Sequence, residues 1–390
     1  MTAAPLTGDP MTGKTPGVLA DWCDRLREAN ARGTALQLRG GGTKAFYGQS
    51  PDGEVFDTRD YRGIVAFEPT ELVVTARCGT PLAEVQAAVA EAGQMLAFEP
   101  PSFGDQATVG GMIATGLSGP RRVSVGAARD FVLGAGLLDA RGQWMHFGGQ
   151  VMKNVAGYDV SRLLCGSLGV LGVITEVSIK VLPLPARELT LALSIDQADA
   201  LRALNAWAGK PLPISASAWC DGRLHIRLSG AAAAVRAAIS HFQQAHGATE
   251  VDPAEAVAFW ADVREHRHPA LAGSDALWRL SVPSVAPVLT MPPAVPAMAP
   301  AAASAASVSG DEPLIEWGGA LRWYAGERDA HAVRAAAAAV GGTATLFRGG
   351  DKSVGVFPAL TAPVARVHAR LKHEFDPNRL FNPGRLYSEL

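Results

Sequence analysis

The sequence predicts an α+β fold in two parts, with the C-terminus returning to the first part. Short β-like runs and helical segments are mixed without the regular alternation of a parallel α/β sheet. This pattern closes at Pro183-Leu184-Pro185, beyond which the composition changes, and a last helix over 362–374 precedes the motif DPNRLFNPGRLYSEL. We therefore expect a disordered tail over 1–16, a first domain over 17–186, a second over 187–330, and over 331–390 the completion of the second domain and the return to the first.

The elements of the first part follow from periodicity and turn residues. Apolar positions at helical spacing predict a helix over 18–31. Gly79-Thr80-Pro81 predicts the start of a second helix, with Thr80 as its N-cap and Pro81 as its first residue. The β-like runs lie at 35–38, 64–67, 72–76, 131–138, 144–147 and 169–182.

The second part contains strand-like runs separated by Ala-rich helices around 196–208 and 231–246. A Pro/Ala/Ser-rich segment over 283–310 carries no charge and is long enough to cross a bilayer. Its prolines would break a transmembrane helix, so we interpret it as a mobile surface insertion. The sequence therefore predicts no direct membrane span.

Charge and cysteine usage exclude several classes of function. The 35 Lys+Arg and 37 Asp+Glu leave a formal charge of -2, which supplies no basic field for nucleic acid or an anionic membrane. The four cysteines are too dispersed for a disulfide framework, a zinc site or a self-contained iron–sulfur cluster. No signal peptide is visible. We expect a reduced, cytosolic chain without a metal centre, associated with a membrane only through partner subunits.

One short motif matches the P-loop pattern G-x-x-x-x-G-K-[ST] at residues 8–15. A P-loop works where a buried strand delivers it to a helix N-terminus, so that backbone amides surround phosphate. Only MTAAPLT precedes this match, and TPGV follows it. A P-loop NTPase is therefore a remote alternative.

Three further segments are rich in glycine and suit a phosphorylated ligand. Gly40-Gly41-Gly42 follows a β-like run and presents backbone amides without intervening Cβ atoms; a flexible turn is the alternative. The segment 100–122 combines glycines, threonines and a basic pair, the mixture that a pyrophosphate needs, although a plain surface loop has similar composition. The segment 153–176 carries three regularly spaced glycines before a β-branched strand. No G-x-G-x-x-G motif supports a nicotinamide-binding Rossmann domain.

Taken in order, these segments resemble the FAD-binding domain of the vanillyl-alcohol oxidase/p-cresol methylhydroxylase (PCMH-type) flavoprotein family. RGGGTK resembles the first pyrophosphate loop of that family, ATVGGMIATGLSGPRR the second, and KNVAGYD with GSLGVLGVITE the third motif. DPNRLFNPGR matches the closing D-P-x-x-x-x-N-P-G motif. Longer matches, such as FNPGRLYSEL, resemble the FAD-binding subunits of bacterial glycolate oxidases. The resemblance implies a two-part PCMH-type FAD-binding domain and a smaller α+β cap domain.

The resemblance also implies FAD as the cofactor and assigns its contacts residue by residue. Many members of the family carry a flavin-linked histidine where this chain has Thr43, so we expect non-covalent FAD. The implied FAD contacts are Arg39, Gly40, Gly41, Gly42, Thr43, Lys44, Thr108, Val109, Gly110, Gly111, Thr115, Gly116, Gly119, Gly169, Gly172, Val173, Ile174 and Asn382.

The implied function is that of an FAD-binding subunit of a glycolate oxidase complex. Such a subunit would oxidise glycolate, a small 2-hydroxy acid, to glyoxylate beside a catalytic flavoprotein paralogue. Electrons would pass to an iron–sulfur subunit, because this chain lacks cluster-forming cysteines. It also lacks the G-D-G-N-x-H metal-binding segment of related 2-hydroxy-acid dehydrogenases. A non-catalytic electron-relay or assembly subunit therefore stays an open alternative.

Two features of the second part are candidates for further chemistry. Arg322, between Trp317 and Trp323, suits bidentate binding of a substrate carboxylate, or it is a structural arginine stacked on tryptophan. Arg322 is the one candidate catalytic residue. The sequence His266-Arg267-His268 holds a close histidine pair, and the pattern favours an exposed charged loop over a metal site.

Overall fold

The structure, a computed structural model, describes residues 17–149, 159–294 and 312–390. Its residue contacts divide the chain into two compact units. The first unit contains the described residues up to Ser118 together with Gly126–Leu184 and Ala359–Leu390, and the second contains Gly119–Val125 and Pro185–Pro358. The expected tail over 1–16, with its P-loop match, and most of the KNVAGYD segment lie outside the described residues. Both units combine helices with mainly antiparallel sheets, which confirms the α+β class.

The first unit is built on a five-stranded antiparallel sheet and two small strand pairs. The strands of the large sheet lie in the order Ile64–Glu68, Val73–Arg77, Val173–Lys180, Val132–Leu138 and Trp144–Gly148. The small pairs are the parallel Leu36–Arg39 with Glu54–Asp57, and the antiparallel Gln94–Met95 with Leu182–Pro183.

Helices cover the sheets of the first unit. Its helices are Gly17–Arg32, Leu82–Glu91, Val109–Thr115, Val160–Leu164 and Ala362–Phe375, with 3-10 turns at Pro69–Glu71 and Ala128–Phe131. The second helix begins one residue later than expected. Pro81 is its N-cap, because the Thr80 hydroxyl is engaged with the backbone N–H and C=O of Gly63.

The C-terminal segment is anchored in the core of the first unit. Phe381 is fully buried in a cluster with Trp22 and Phe56, and its backbone bridges Leu36 in parallel register. Asp376 is also fully buried and accepts the backbone N–H groups of Leu380 and Phe381, both at 2.8 Å. The C-terminus therefore returns to the first unit, and the buried carboxylate fixes the bend that precedes Asn382.

Lys372 completes this anchor from the last helix. Its Nζ lies 2.7 Å from Asp376 Oδ2 and donates to the carbonyl oxygens of Val170 and Phe381 at 2.8 and 2.9 Å. Burial lowers the pKa of Lys372, while Asp376 acts in the opposite direction. One ammonium group thus joins the last helix, the return segment and the loop after Leu168.

The second unit contains an eight-stranded antiparallel sheet. Its strands lie in the order Thr249–Glu250, Arg187–Ser194, Arg223–Gly230, Ile214–Cys220, Leu314–Glu316, Leu321–Ala325, Ala276–Ser281 and Thr343–Gly349. Its helices are Arg122–Val125, Gln197–Ala208, Ala232–His246, Pro253–Arg264 and Ala330–Ala339, with 3-10 turns at Trp317–Gly319 and Lys352–Val354.

The described part of the Pro/Ala-rich segment, residues 283–294, differs from the expected mobile insertion. Ala286 is 5% exposed and packs in a core cluster with Trp278. The guanidinium of Arg322 donates to the carbonyls of Ala286 and Pro287, each at 2.5 Å, and Arg328 donates to that of Pro292. Two arginines therefore hold the start of this segment by its backbone, and the rest of the segment to residue 310 lies outside the described residues.

His266 is buried, so the interpretation of His266-Arg267-His268 as an exposed loop is wrong at this position. Its ring lies 4.5 Å from that of Trp323 and 5.2 Å from that of Phe347. Burial, assisted by the positive charges of Arg348 and Arg279, lowers the pKa of His266 to about 3. The neutral imidazole is therefore part of the aromatic core of the second unit.

Removing Lys372 should destabilise the chain far more than removing a surface cation. We expect Lys372→Met to lower the free energy of unfolding by about 3–5 kcal/mol, because it leaves the Asp376 charge buried without its partner. Urea unfolding monitored by circular dichroism measures this loss. Arg27→Met, which breaks an exposed ion pair with Asp24, is the control and should cost at most about 1 kcal/mol. Equal losses in the two variants would contradict the anchoring role.

The burial of His266 should make stability depend on pH. Below the ordinary pKa of 6.5 the unfolded chain binds a proton that the folded chain refuses until about pH 3. Stability should therefore fall as the pH is lowered from about 6.5 towards 3. In urea unfolding at successive pH values, His266→Phe should reduce this slope relative to that of the wild-type chain. An unaltered slope in His266→Phe would refute the assignment.

Candidate functional site

Two adjoining pockets in the first unit form one cleft, and all three glycine segments contribute to it. The outer pocket is lined by Gly41, Thr43 and Lys44 among others, and the inner pocket by Gly110, Gly169 and Gly172 among others. The two are continuous, because both are lined by Leu38, Gly40, Gly111, Ala114 and Asn382. Of the residues predicted to bind the cofactor, the lining contains Arg39, Gly40, Gly41, Gly42, Thr43, Lys44, Thr108, Gly110, Gly111, Thr115, Gly169, Gly172, Val173, Ile174 and Asn382.

The first glycine loop follows strand Leu36–Arg39 and lies directly against the second segment. A Cβ atom at Gly41 would lie 1.5 Å from the carbonyl oxygen of Gln106, so no larger residue fits between these backbones. Thr108 caps the helix Val109–Thr115, accepting the N–H of Gly111 at 3.3 Å. The absence of side chains thus lets two loops meet and leaves backbone as the floor of the cleft.

Asn382 joins the first and third glycine loops across the cleft. Its Oδ1 accepts the N–H of Leu38 at 2.8 Å, and its Nδ2 donates to the carbonyl of Leu168 at 2.7 Å. Both Asn382 and Leu168 have left-handed backbones, with φ of 42° and 50°. Such conformations are costly for a leucine and persist only where surrounding contacts impose them. The side-chain amide of Asn382 supplies that constraint.

The side chains around the cleft make it electropositive. Its described lining includes Arg39, Lys44 and Arg385 and no Asp or Glu. Lys44 is buried, with Nζ 3.2 Å from the carbonyl oxygen of Ser102 and 3.4 Å from Thr43 Oγ1. Exposed backbone, hydroxyl groups and cations without a carboxylate are the donor set that a pyrophosphate requires. The residues therefore fit a dinucleotide such as FAD.

A buried thiol lies in the wall of the inner pocket. Cys78 is 1% exposed, and a Cβ atom at Gly110 would lie 2.8 Å from the Cβ atom of Cys78. Burial raises the pKa of Cys78 to about 12. The thiol is therefore protonated at neutral pH and packs as a small apolar group, without the reactivity of a thiolate.

Three predicted contacts lie outside the cleft lining. Val109 is completely buried. Gly116 packs closely against the backbone of Gly166. Gly119 belongs to the second unit, where its carbonyl oxygen accepts a hydrogen bond from Trp317 Nε1–H. Thr115 lines the cleft, but its hydroxyl donates to the carbonyl of Gly111 in its own helix. These positions are therefore weaker candidates for direct contact than the rest.

Several lining residues were missed by sequence reasoning. They are Gln37, Leu38, Ala45, Thr58, Cys78, Ala114, Leu168 and Arg385. Gln37, Leu38 and Ala45 flank the first glycine motif, Ala114 and Leu168 lie inside the second and third motifs, and Arg385 directly follows the Asn-Pro-Gly of the closing motif. Proximity to a motif was therefore the available signal. Thr58 and Cys78 belong to neither the glycine motifs nor the closing motif and enter the cleft only through the packing of the strands.

Arg322, the candidate catalytic residue, makes structural contacts with the backbone of the second unit. It is completely buried, and its three nitrogens donate to the carbonyls of Gly319, Ala286 and Pro287. The guanidinium groups near the Trp317 ring are instead those of Arg122 at 4.3 Å and Arg279 at 5.3 Å. The expected stacking of Arg322 on tryptophan is therefore not what the structure shows.

Two other kinds of site have no candidate among the described residues. Within 17–149, 159–294 and 312–390, His, Cys, Asp and Glu side chains nowhere form a group of three able to hold a metal ion. No helix in these same ranges combines the length and apolar character needed to cross a membrane.

Comparison with known proteins identifies the family of this chain. A model of the FAD binding domain matches residues 15–148. The chain is 44% identical over 367 residues to glycolate oxidase subunit GlcE of Escherichia coli strain K12, covering 94% of this chain and 97% of that protein. The chain belongs to the GlcE family. Its members are FAD-dependent oxidoreductases of the PCMH type, which confirms the predicted cofactor, enzyme class and family resemblance.

More distant relatives share only part of the GlcE-family chain. D-lactate dehydrogenase of Archaeoglobus fulgidus is 34% identical over 198 residues, covering 49% of this chain and 43% of that protein. Glycolate oxidase subunit GlcD of Bacillus subtilis strain 168 is 33% identical over 164 residues, covering 42% of this chain and 35% of that protein. The chain thus spans less than half the length of each.

A solved structure supports the fold. Alkyldihydroxyacetonephosphate synthase superposes with a TM-score of 0.61 at 14% identity, covering 93% of this chain and 74% of that one. The predicted PCMH-type architecture is confirmed at the level of the fold.

Gly169 and Gly166 provide a matched pair for testing the contact with Asn382. Both have positive φ, at 74° and 87°, but a Cβ atom at Gly169 would lie 2.8 Å from Asn382 Nδ2, whereas one at Gly166 meets nothing within 4 Å. We expect Gly169→Ala to weaken FAD binding at least tenfold more than Gly166→Ala in titrations of flavin fluorescence. Equal effects would show that backbone strain alone, and not the contact with Asn382, accounts for the loss.

Proposed function

We propose that this chain is the FAD-binding subunit of a glycolate oxidase complex that oxidises glycolate to glyoxylate. It works beside a catalytic flavoprotein paralogue, and its electrons pass to an iron–sulfur subunit. The observation that carries the proposal is the cleft that all three glycine segments line together with Asn382. Similarity to a glycolate oxidase subunit over 94% of the chain supports the choice of complex.

The side chains of the cleft suggest a division of roles. In the outer pocket, Gly40 to Thr43 with Thr108 present amides and hydroxyls to a pyrophosphate, and Arg39 and Lys44 offset its charge. In the inner pocket, Gly172 and Ile174 are suited to contact with flat, apolar ring surface. Thr43 has no nucleophilic ring nitrogen, so the cofactor is held without a covalent bond.

Bound flavin supplies the acceptor for a hydride from the α-carbon of a 2-hydroxy acid. The protein has to bind the acid, take up its hydroxyl proton and exclude water from the ring. In the described cleft of the first unit, the cationic groups suit the cofactor phosphates.

A second function, an FAD-containing electron-relay or assembly subunit, is favoured by the environment of Arg322. All three guanidinium nitrogens of this buried residue donate to backbone carbonyls. Arg322, the residue proposed to bind a substrate carboxylate, is therefore already engaged in holding residues 286–287. A subunit without its own substrate site would still use the same FAD cleft and would leave turnover to the paralogue.

Anaerobic mixing of the purified chain with glycolate separates these functions. Prompt bleaching of the flavin absorbance supports substrate oxidation by this subunit, whereas a flavin that responds only to dithionite supports the relay function. D-lactate and 2-hydroxyglutarate, tested in parallel, define the acid that is accepted. A chain purified without flavin and unable to bind added FAD would refute both.

The mode of FAD attachment gives a separate prediction. Acid precipitation of the yellow protein should release all flavin into the supernatant, because Thr43 offers no group for a covalent flavin bond. Chromatography of the supernatant should identify FAD. Flavin that remains with the denatured pellet would contradict non-covalent binding.

A further inference from the structure

Arg385 lies at the edge of the outer pocket, on the segment that returns from the last helix. Its backbone is fixed on both sides, since its N–H donates to the carbonyl of Asn382 at 3.1 Å and its own carbonyl accepts the N–H of Gln49 at 2.9 Å. The base of this side chain is therefore tied to Asn382, which itself joins two glycine loops.

The guanidinium group is oriented by only one of its edges. Nη2 donates to the carbonyl of Tyr47 at 2.9 Å and lies 3.5 Å from those of Lys44 and Ala45. No partner is seen for Nε or Nη1 among the described residues, and no carboxylate forms an ion pair with the group. A planar guanidinium held along one edge can present its remaining donors in a fixed direction.

Burial makes this arrangement costly without an anion. The side chain is partly withdrawn from water, which alone lowers the pKa of Arg385, yet a guanidinium stays charged at every physiological pH. A partly desolvated cation without a carboxylate partner is stabilised when an anionic oxygen enters the same space. The lining of this pocket contributes no Asp or Glu from the described chain.

We propose that Arg385 binds the cofactor directly, donating from its unoccupied edge to an anionic oxygen of the dinucleotide. The inference rests on the proposed FAD site and adds to it a residue that the glycine motifs do not contain. Two anionic groups of FAD share this chemistry: the pyrophosphate, and the pyrimidine edge of the ring, which becomes negative on reduction.

The test measures FAD binding by Arg385→Gln and Arg385→Lys in the full-length chain, with wild type alongside. We expect Arg385→Gln to raise the Kd for FAD about 10- to 100-fold, the usual range for losing a charge-assisted hydrogen bond. Arg385→Lys should fall between wild type and Arg385→Gln, because a lysine keeps the charge but cannot hold the Tyr47 carbonyl and the ligand together. If Arg385→Gln does not fold, the comparison of Arg385→Lys with wild type tests the proposal.

Arg379 offers a matched control on the same segment. Its Nη2 donates to the carbonyl of Ser388 at 2.7 Å, and it does not line the cleft. Arg379→Gln therefore removes a similar cation and a similar backbone contact, and it should change the Kd for FAD less than twofold. Melting temperatures of the apoproteins show whether either variant alters the fold itself.

Titration with ADP separates the two sources of the anionic oxygen. If Arg385 binds the pyrophosphate, Arg385→Gln weakens ADP and FAD by similar factors. If it binds the ring edge, ADP affinity is unchanged and the flavin midpoint potential becomes more negative, because the reduced ring loses a cation. Unchanged affinities and potential in folded Arg385→Gln would overturn the role of Arg385. A wild-type chain that binds no FAD would overturn the proposed function itself.

Discussion

Lys372 Nζ lies 2.7 Å from Asp376 and also within hydrogen-bond distance of carbonyls from two other segments, in a place that water hardly reaches. The position of the return segment in the cleft depends on this contact. Asp376 sets the bend that carries Phe381 into the core, and Lys372 ties that bend to the loop containing Val170. The return segment is therefore an integral part of the site, although it is more than 200 residues from the loop that it meets.

The cleft also holds local strain that its hydrogen bonds offset. Leu168 and Asn382 both adopt left-handed backbones, at a cost of about 1–3 kcal/mol for the leucine, whereas asparagine tolerates this conformation better. The amide of Asn382 compensates by satisfying the backbone of Leu38 and Leu168 simultaneously. Strain of this kind is kept where a precise backbone path matters, and here the path brings two glycine loops to opposite sides of one space. Arg385 lies three residues after Asn382, and the same contacts fix its position.

The glycine segments and the closing motif were predictable because a ligand cradle needs residues without side chains, and that need is visible in sequence. The α+β class followed from periodicity. Side-chain partners were not predictable in the same way. Thr80 bonds to Gly63 in place of capping its helix, His266 is buried by Trp323 and Phe347, and Gly119 lies in the other unit. Each of these outcomes depends on which distant segment packs nearby.

The glycines of the cleft have two separate reasons to lack a side chain, and sequence reasoning recognised only one. It treated them as places where a ligand approaches the backbone. The structure shows that Gly41 is also required by the carbonyl of Gln106, Gly110 by Cys78, and Gly169 by Asn382. These segments of the chain must approach one another closely for the shared cleft to form. A substitution at these positions therefore affects the assembly of the cradle first and the contact with the ligand only as a consequence.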